Sequence, residues 1–203
     1  MKKIVDFINL LKAKWGIFYL REIKSRWTKR FNILNSGPRR CMEYRIFPYF
    51  HANSDIQNIL LVGVAECTRH YEDYFKDKKL VYTIDIDPEK AVSGIPGRHI
   101  TDTVENIDKY FPDPTFDAVL MNGVYGWGMN DEASLIRSLE KVRKVLKKGG
   151  VLLFGWDKVP KYDPIDLDSK PYFKDFEKFR ITGVERVELD NKHHHIFDFY
   201  RKP

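Results

Sequence analysis

The sequence predicts an α/β protein in which a mostly parallel, doubly wound sheet follows an amino-terminal helical segment. Strand-like apolar runs alternate with helix-like runs from residue 53 onward, as crossover helices between parallel strands require. Residues 1–33 instead carry apolar side chains at helical spacing. We therefore divide the chain into a helical cover segment, residues 1–52, and a sheet domain, residues 53–203. With 203 residues, 43% of them hydrophobic, the chain can build a substantial core.

Each element of the sheet domain has its own pattern. Short apolar runs predict five strands, at residues 59–62, 81–84, 98–101, 116–121 and 151–154. Residues 132–146 repeat apolar positions at helical spacing, and Gly149-Gly150 should stop this helix as a glycine cap. Two further strand-like runs, at 180–189 and 194–200, flank Asp190-Asn191-Lys192. They predict a terminal hairpin.

Charge and cysteine content narrow the class of protein. The formal net charge is +6, and positions 1–40 hold eleven Lys or Arg residues against two acidic ones. No run approaches the roughly 20 apolar residues of a membrane span, and no secretory cleavage site follows the amino terminus. Cys41 and Cys67 lack the spacing of a disulfide framework or a zinc site. We expect both to be reduced thiols in a cytoplasmic protein.

The basic amino-terminal segment has three readings. It could cover a substrate, lie on a membrane surface as an amphipathic helix, or present its charges to nucleic acid phosphates. A solvated helix face explains the charges equally well. The apolar positions at helical spacing favour a substrate cover.

Two turns carry the candidate ligand site. Gly63 begins the turn after the first strand, where the backbone of an open parallel sheet can approach a ligand closely. A tight turn without a ligand is the alternative. Asp85 follows the second strand, 22 residues after Gly63, at the distance expected for an acidic residue that binds ribose hydroxyls. Asp87, with Pro88 after it, is better placed to cap the next helix.

A family resemblance emerges from four segments taken in order. They are NILLVGVAECT, VYTIDIDPEKA, TFDAVLMNGVYGW and SLEKVRKVLKKGGVLLFGW, which run from Asn58 to Trp156, and the resemblance covers roughly residues 55–157. Together they resemble the motifs of class I S-adenosylmethionine-dependent methyltransferases. The resemblance implies a Rossmann-like, seven-stranded sheet whose reversed last strand lies beside the fifth. The chain departs from the family pattern at Leu61, Ala65, Cys67 and Lys148.

The same resemblance implies S-adenosyl-L-methionine as the cofactor and assigns residues to it. Gly63 would pass under the methionine part, with Ala65 in the same turn. Asp85 would bind the ribose, and Ile86 would pack on the adenine. The remaining candidates are the two residues that would flank the adenine amino group and the one near the methionyl amine: Asp102, Thr103 and Asn122.

Methyl transfer depends mainly on alignment, and a general base is needed chiefly for hydroxyl acceptors. The candidate catalytic residues are Asp157, beyond the fifth strand, Tyr125, in the glycine-rich loop after the fourth, and His70, on the expected helix after Gly63. Each also has a structural interpretation. Asp157 could be a cap or a solvated carboxylate, Tyr125 a core aromatic, and His70 a surface histidine. Tyr125 and Trp127 of this loop could form two walls around a substrate.

The run His193-His194-His195 raises the question of a metal. Alternate strand residues point to opposite faces, so only His193 and His195 could share an ion. No nearby Cys or Glu completes a site, and we predict no metal and an edge strand.

We interpret the chain as a methyltransferase acting on oxygen or nitrogen of a small molecule, such as a sugar or natural-product precursor. The basic charge favours an RNA methyltransferase as the alternative. The degenerate glycine turn favours a second, a catalytically silent nucleoside-binding scaffold. An NAD-dependent dehydrogenase is a weaker alternative, because it would not explain the Lys-Lys-Gly-Gly helix end or the reversed hairpin.

Overall fold

A long, mostly parallel sheet forms the centre of the computed structural model, which describes residues 37–203. The helices predicted within residues 1–33 lie outside this range. Residues 37–203 contain eight strands, which are β1 (Asn58–Val62), β2 (Leu80–Asp85), β3 (His99–Thr101), β4 (Phe116–Asn122), β5 (Leu146–Asp157), β6 (Glu177–Lys178), β7 (Arg186–Glu188) and β8 (His195–Arg201). All five strands predicted from apolar runs are therefore present.

The strand order confirms a doubly wound sheet. Along the sheet the strands lie in the order β3-β2-β1-β4-β5-β8-β6. The pairs among β1 to β5 are parallel, whereas β8 runs antiparallel to β5. Because the chain winds from β1 to β2 on one side and later to β4 on the other, the strand order reverses at β1. Ligands of such sheets bind at the carboxyl ends of the strands around this point.

The far edge of the sheet accounts for the difference between the eight strands observed and the seven predicted. Both β6 and β7 pair antiparallel with β8, Glu177 facing Arg201 and Val187 facing Phe197. They occupy one edge position, and residues 179–185 loop out between them. We therefore regard β6 and β7 as two parts of one edge strand that an insertion divides, so the sheet has seven strand positions. The predicted hairpin is confirmed as the β7–β8 pair, but β8 lies inside the sheet, so the edge position expected for the histidine run was wrong.

The best-predicted helix ends earlier than the glycine pair suggested. The helices that follow β3 and β4 are α3 (Ile107–Tyr110) and α4 (Glu132–Val145), and Leu146 is already extended with φ −72° and ψ 137°. Leu146 is buried and pairs with Phe116 of β4, so sheet pairing takes over before Gly149 is reached. Gly149 instead has φ +76° within the β5 range.

The helix expected directly after Gly63 was also wrong. Two short 3₁₀ turns, Glu66–Thr68 and Tyr71–Tyr74, take its place. The Thr68 hydroxyl accepts a hydrogen bond from the Ala65 N–H and donates one to the Ala65 carbonyl, which closes the first turn. Such local side-chain bonds compete with the helical ladder.

Apolar side chains of each strand alternate between two core layers. On one face Leu60 and Val62 pack in a cluster with α4. On the other face Ile59 and Leu61 pack with a helical segment that precedes β1. The residues of this segment that belong to the cluster lie from Cys41 onward, in a π-helical turn (Met42–Ile46) and α2 (Phe47–Ala52); α1 (Gly37–Cys41) comes before them in the chain.

Phe47 shows how the second layer is closed. Its ring is fully buried and lies 4.8–5.2 Å from the rings of Tyr71, Tyr74 and Phe75. The compact unit that holds the sheet begins at Cys41, and the domain boundary at residue 53 stays a prediction. The role of the preceding residues as a cover stays a prediction. None of the helices between residues 37 and 203 has the length and hydrophobicity of a membrane span.

Candidate functional site

The turn after β1 has the backbone conformation that its glycine requires. Gly63 adopts φ +83°, a left-handed conformation that residues with a Cβ atom rarely take. A Cβ atom there would also lie 3.1 Å from Val124 Cγ2. Gly123, directly after β4, has φ +70°, and a Cβ atom there would meet nothing within 4 Å. The neighbouring ends of β1 and β4 therefore present bare backbone at the reversal point.

The Asp85 carboxylate ties the turns after β1 and β2 together. Its Oδ2 accepts the Val64 N–H at 2.7 Å, and its Oδ1 accepts the Asp87 N–H at 2.9 Å. The residue is 8% exposed. Because a carboxylate has about four acceptor positions, roughly two remain for a ligand such as a pair of ribose hydroxyls. As expected, Asp87 caps the 3₁₀ turn Pro88–Ser93, where its side chain accepts the Glu89 N–H.

Three more predicted cofactor residues lie at the ends of β2 and β3. Ile86 is 69% exposed and offers an apolar surface beside Asp85. The Asp102 carboxylate accepts hydrogen bonds from Asn106 Nδ2, the Thr103 N–H and the Tyr110 hydroxyl. The bond from Asn106 contributes most to lowering the pKa of Asp102. The Thr103 hydroxyl accepts the Glu105 N–H and caps the turn that follows.

Asn122 and Asp157 meet through a histidine that sequence reasoning did not select. His195 Nδ1 lies 2.6 Å from Asp157 Oδ1, and His195 Nε2 lies 3.0 Å from Asn122 Oδ1. His195 is 5% exposed and Asp157 is 8% exposed. Asn122 ends β4, Asp157 ends β5, and His195 starts β8 directly opposite Asp157. We call Asn122, His195 and Asp157 the polar triad.

A glycine makes room for the triad. A Cβ atom on Gly155 would lie 2.0 Å from Asn122 Oδ1, far inside contact distance. Gly155 pairs with Asn122 across the β4–β5 ladder, so the small residue lets the amide lie over the neighbouring strand. The approach of Asn122 to His195 therefore depends on a backbone feature of β5.

An aromatic surface adjoins the triad. The Trp127 ring is 58% exposed and stacks on the Tyr162 ring, with centroids 4.3 Å apart and planes at 13°. Its Nε1 donates a long hydrogen bond of 3.4 Å to Asp157 Oδ2. Gly126 permits this arrangement, because a Cβ atom there would lie 2.1 Å from the Tyr162 carbonyl oxygen.

Tyr125 belongs to the core instead of the loop surface. It is 1% exposed, and its hydroxyl donates to Asp163 Oδ1. Burial, together with the bond to Asp163, raises the pKa of Tyr125. This environment matches the plainer reading of Tyr125 as a core aromatic and does not suit proton abstraction.

His70 belongs to a separate cluster. Its Nε2 lies 2.8 Å from Glu43 Oε1, and Glu43 Oε2 accepts the Tyr74 hydroxyl at 2.7 Å. Glu43 lies in the π-helical turn, so this cluster links that turn to the 3₁₀ turn at Tyr71–Tyr74. These bonds fasten the helical segment to the turn after β1.

The β5–β8 strand pair, which carries Asp157, also carries a second buried carboxylate. Asp198 of β8 is 1% exposed and accepts hydrogen bonds from Trp156 Nε1, Lys178 Nζ and two nitrogens of Arg186. A recess of about 290 Å³ borders Arg186 and Asp198. Its lining includes neither Asp85 nor His195, so it is separate from the strand ends described above.

Across residues 37–203, no three His, Cys, Asp or Glu side chains are arranged to hold a metal ion. His195, the one member of the histidine run within a strand, directs its two ring nitrogens at Asp157 and Asn122.

A family model described as a methyltransferase domain matches residues 61–154. This range runs from the end of β1 to the middle of β5 and includes the Gly63 turn, Asp85 and Asn122. No curated protein matches the sequence.

Solved structures with the same fold include several methyltransferases. The N-methyltransferase NodS from Bradyrhizobium japonicum, in complex with S-adenosyl-L-homocysteine, aligns with a TM-score of 0.59 at 15% identity, covering 84% of this chain and 94% of NodS. A methyltransferase from Archaeoglobus fulgidus aligns at 0.54 and 15% identity, covering 91% and 99%. A TehB-like methyltransferase from Corynebacterium glutamicum aligns at 0.54 and 15% identity, covering 72% and 80%. At these identities the likeness is one of fold.

Proposed function

Because this chain belongs to the class I S-adenosylmethionine-dependent methyltransferase family through its domain at residues 61–154, we propose that it methylates a small molecule on oxygen or nitrogen. The observation that carries the proposal is the meeting of two groups of residues at one edge of the sheet. The residues that suit a nucleoside cofactor lie at the carboxyl ends of β1 to β3. The polar triad lies at the ends of β4 and β5 and at the start of β8.

The residues after β1 to β3 fit S-adenosyl-L-methionine in their chemistry. Gly63 offers bare backbone, Asp85 retains free acceptor positions, and Ile86 exposes an apolar surface. These groups suit a methionyl chain, ribose hydroxyls and an adenine ring. When bound, the cofactor supplies an electrophilic methyl carbon attached to a positively charged sulfur. The protein must then align an acceptor atom and exclude water.

The acceptor would lie beside Trp127 and the triad. An exposed aromatic ring suits the flat face of a small ring compound or a sugar. The basic residues of the first forty positions favour RNA as a second acceptor. A small-molecule acceptor and an RNA acceptor can be distinguished by which of the two the purified protein labels with a methyl group.

We expect purified protein supplied with methyl-labelled S-adenosylmethionine to label small molecules in a metabolite extract and to leave total RNA unlabelled. The two acceptor pools are assayed in parallel, each with a reaction lacking protein as the control. Label in RNA alone would replace the small-molecule proposal with the RNA alternative. A protein that binds the cofactor and labels neither pool would match a nucleoside-binding scaffold.

A further inference from the structure

The polar triad contains a histidine whose two ring nitrogens have different surroundings. His195 Nδ1 is 2.6 Å from a carboxylate oxygen of Asp157, and both residues are buried. An ionised carboxylate can only accept a hydrogen bond, so it holds the proton of a neutral imidazole on Nδ1. The lone pair of neutral His195 is then on Nε2.

The Nε2 side of the ring faces the ends of the strands. Its contact is Asn122 Oδ1 at 3.0 Å, and Asn122 is only half-buried at the last position of β4. With the lone pair on Nε2, the Asn122 amide must present its NH₂ group to the ring. When the ring is protonated, the Asn122 oxygen can accept the Nε2 proton instead. One side chain can therefore serve both states of the imidazole.

The opposite side of Asp157 leads to the aromatic surface. Trp127 Nε1 donates to Asp157 Oδ2, and the exposed Trp127 ring continues outward from this contact. Asp157 is thus held between a histidine that it orients and an indole at the surface. A solvated or capping carboxylate would not have this pair of partners.

Resting on the proposed function, we propose that His195 is the proton acceptor of the methyl-transfer reaction, that Asp157 positions it, and that the acceptor is therefore a hydroxyl group. The acceptor oxygen forms a bond to the methyl carbon as the carbon–sulfur bond breaks, and sulfur keeps the electron pair. The Asn122 amide turns away from His195 Nε2, the hydroxyl proton moves to this nitrogen, and Asp157 stabilises the resulting imidazolium. A neutral amine already carries a free lone pair and does not need this proton acceptor.

The tautomer of His195 tests the proposal without cofactor or acceptor. In the full chain labelled with ¹⁵N-histidine at pH 8, we expect the His195 ring to carry its proton on Nδ1 and to have a bare Nε2. Asp157→Asn should remove this preference. His194→Asn, at a neighbouring exposed residue with φ +47° that asparagine tolerates, is the matched control and should leave the His195 signals unchanged. A proton on Nε2 of the wild-type ring at pH 8 would overturn the proposal.

The nature of the acceptor is read from the product. With ¹³C-methyl S-adenosylmethionine and a metabolite extract, we expect the labelled carbon to have the chemical shift of a methoxy group. His195→Gln should lower its rate of formation roughly 100- to 10,000-fold, with His194→Asn near wild type. An N-methyl product, or an unchanged rate in His195→Gln, would contradict the proposal. Failure of the cofactor to bind would instead count against the proposed function, since the tautomer is measured without it.

Discussion

Two buried carboxylates on the β5–β8 strand pair have opposite surroundings. Asp198 accepts four hydrogen bonds, from Trp156, Lys178 and two nitrogens of Arg186. Asp157 has a histidine at 2.6 Å and an indole at 3.4 Å. The first carboxylate is saturated by donors, two of them charged side chains, whereas the second is paired with a group that can gain or lose a proton.

The difference separates a structural role from a chemical one. A carboxylate whose acceptor positions are all occupied holds strands together and has little capacity left for a ligand. A carboxylate that orients an imidazole leaves the reactive nitrogen directed elsewhere. Buried polar groups of both kinds cost free energy to desolvate, so burial alone does not distinguish them. Their partners do.

Breaking the saturated site should produce the largest loss of stability. Arg186→Ala leaves Asp198 buried at 1% exposure with only Lys178 as a charged partner. We expect the free energy of unfolding to fall by about 3–5 kcal/mol, measured by urea denaturation. Arg180→Ala is the control, because Arg180 pairs with Glu185 at the surface and should contribute about 1 kcal/mol or less. Equal losses in the two variants would show that Asp198 does not depend on Arg186.

Crowding the triad should have a smaller effect on stability and a specific effect on His195. In Gly155→Ala the new methyl group displaces the Asn122 amide, and its nearest other contact is Phe197 at 3.2 Å. We expect a loss of roughly 1–3 kcal/mol in urea denaturation, together with changed ¹⁵N shifts of the His195 ring.

Gly128→Ala provides the control for this substitution, since a Cβ atom there meets nothing within 4 Å. If the His195 signals are the same in Gly155→Ala and wild type, the contact between Asn122 and His195 does not exist in solution.

The sequence was sufficient for the parts of the fold that depend on local pattern. Apolar runs located β1 to β5, and the spacing from Gly63 to Asp85 identified the two turns that the Asp85 carboxylate joins. The helix stop near Gly149 failed because pairing of Leu146 with a distant strand outweighed a local cap signal. Single-residue propensities do not contain such long-range pairing.

The candidate site was harder to predict from the sequence, because it too depends on long-range strand pairing. His195 and Asp157 are 38 positions apart, and only the register of the antiparallel β5–β8 pair brings them opposite each other. A one-residue slip would turn His195 to the other face of the sheet. The alternation of His195, Phe197 and Phe199 beside a run ending at Asp157 was the available signal. Tyr125 was selected for its loop, but its hydroxyl donates a hydrogen bond to Asp163, which lies 38 positions further along the chain.

Calorimetric titration of S-adenosylhomocysteine into the full chain tests the central claim, that the ends of β1 to β3 hold the cofactor. We expect one saturable site in the wild type and weaker binding in Asp85→Asn, by about 1.5–3 kcal/mol or roughly 10- to 150-fold, because a charged acceptor is lost. Asp87→Asn should bind as wild type, since asparagine also caps the following turn. Thermal unfolding checks that each variant is folded. No heat with the wild type, or unchanged affinity in folded Asp85→Asn, would contradict the account.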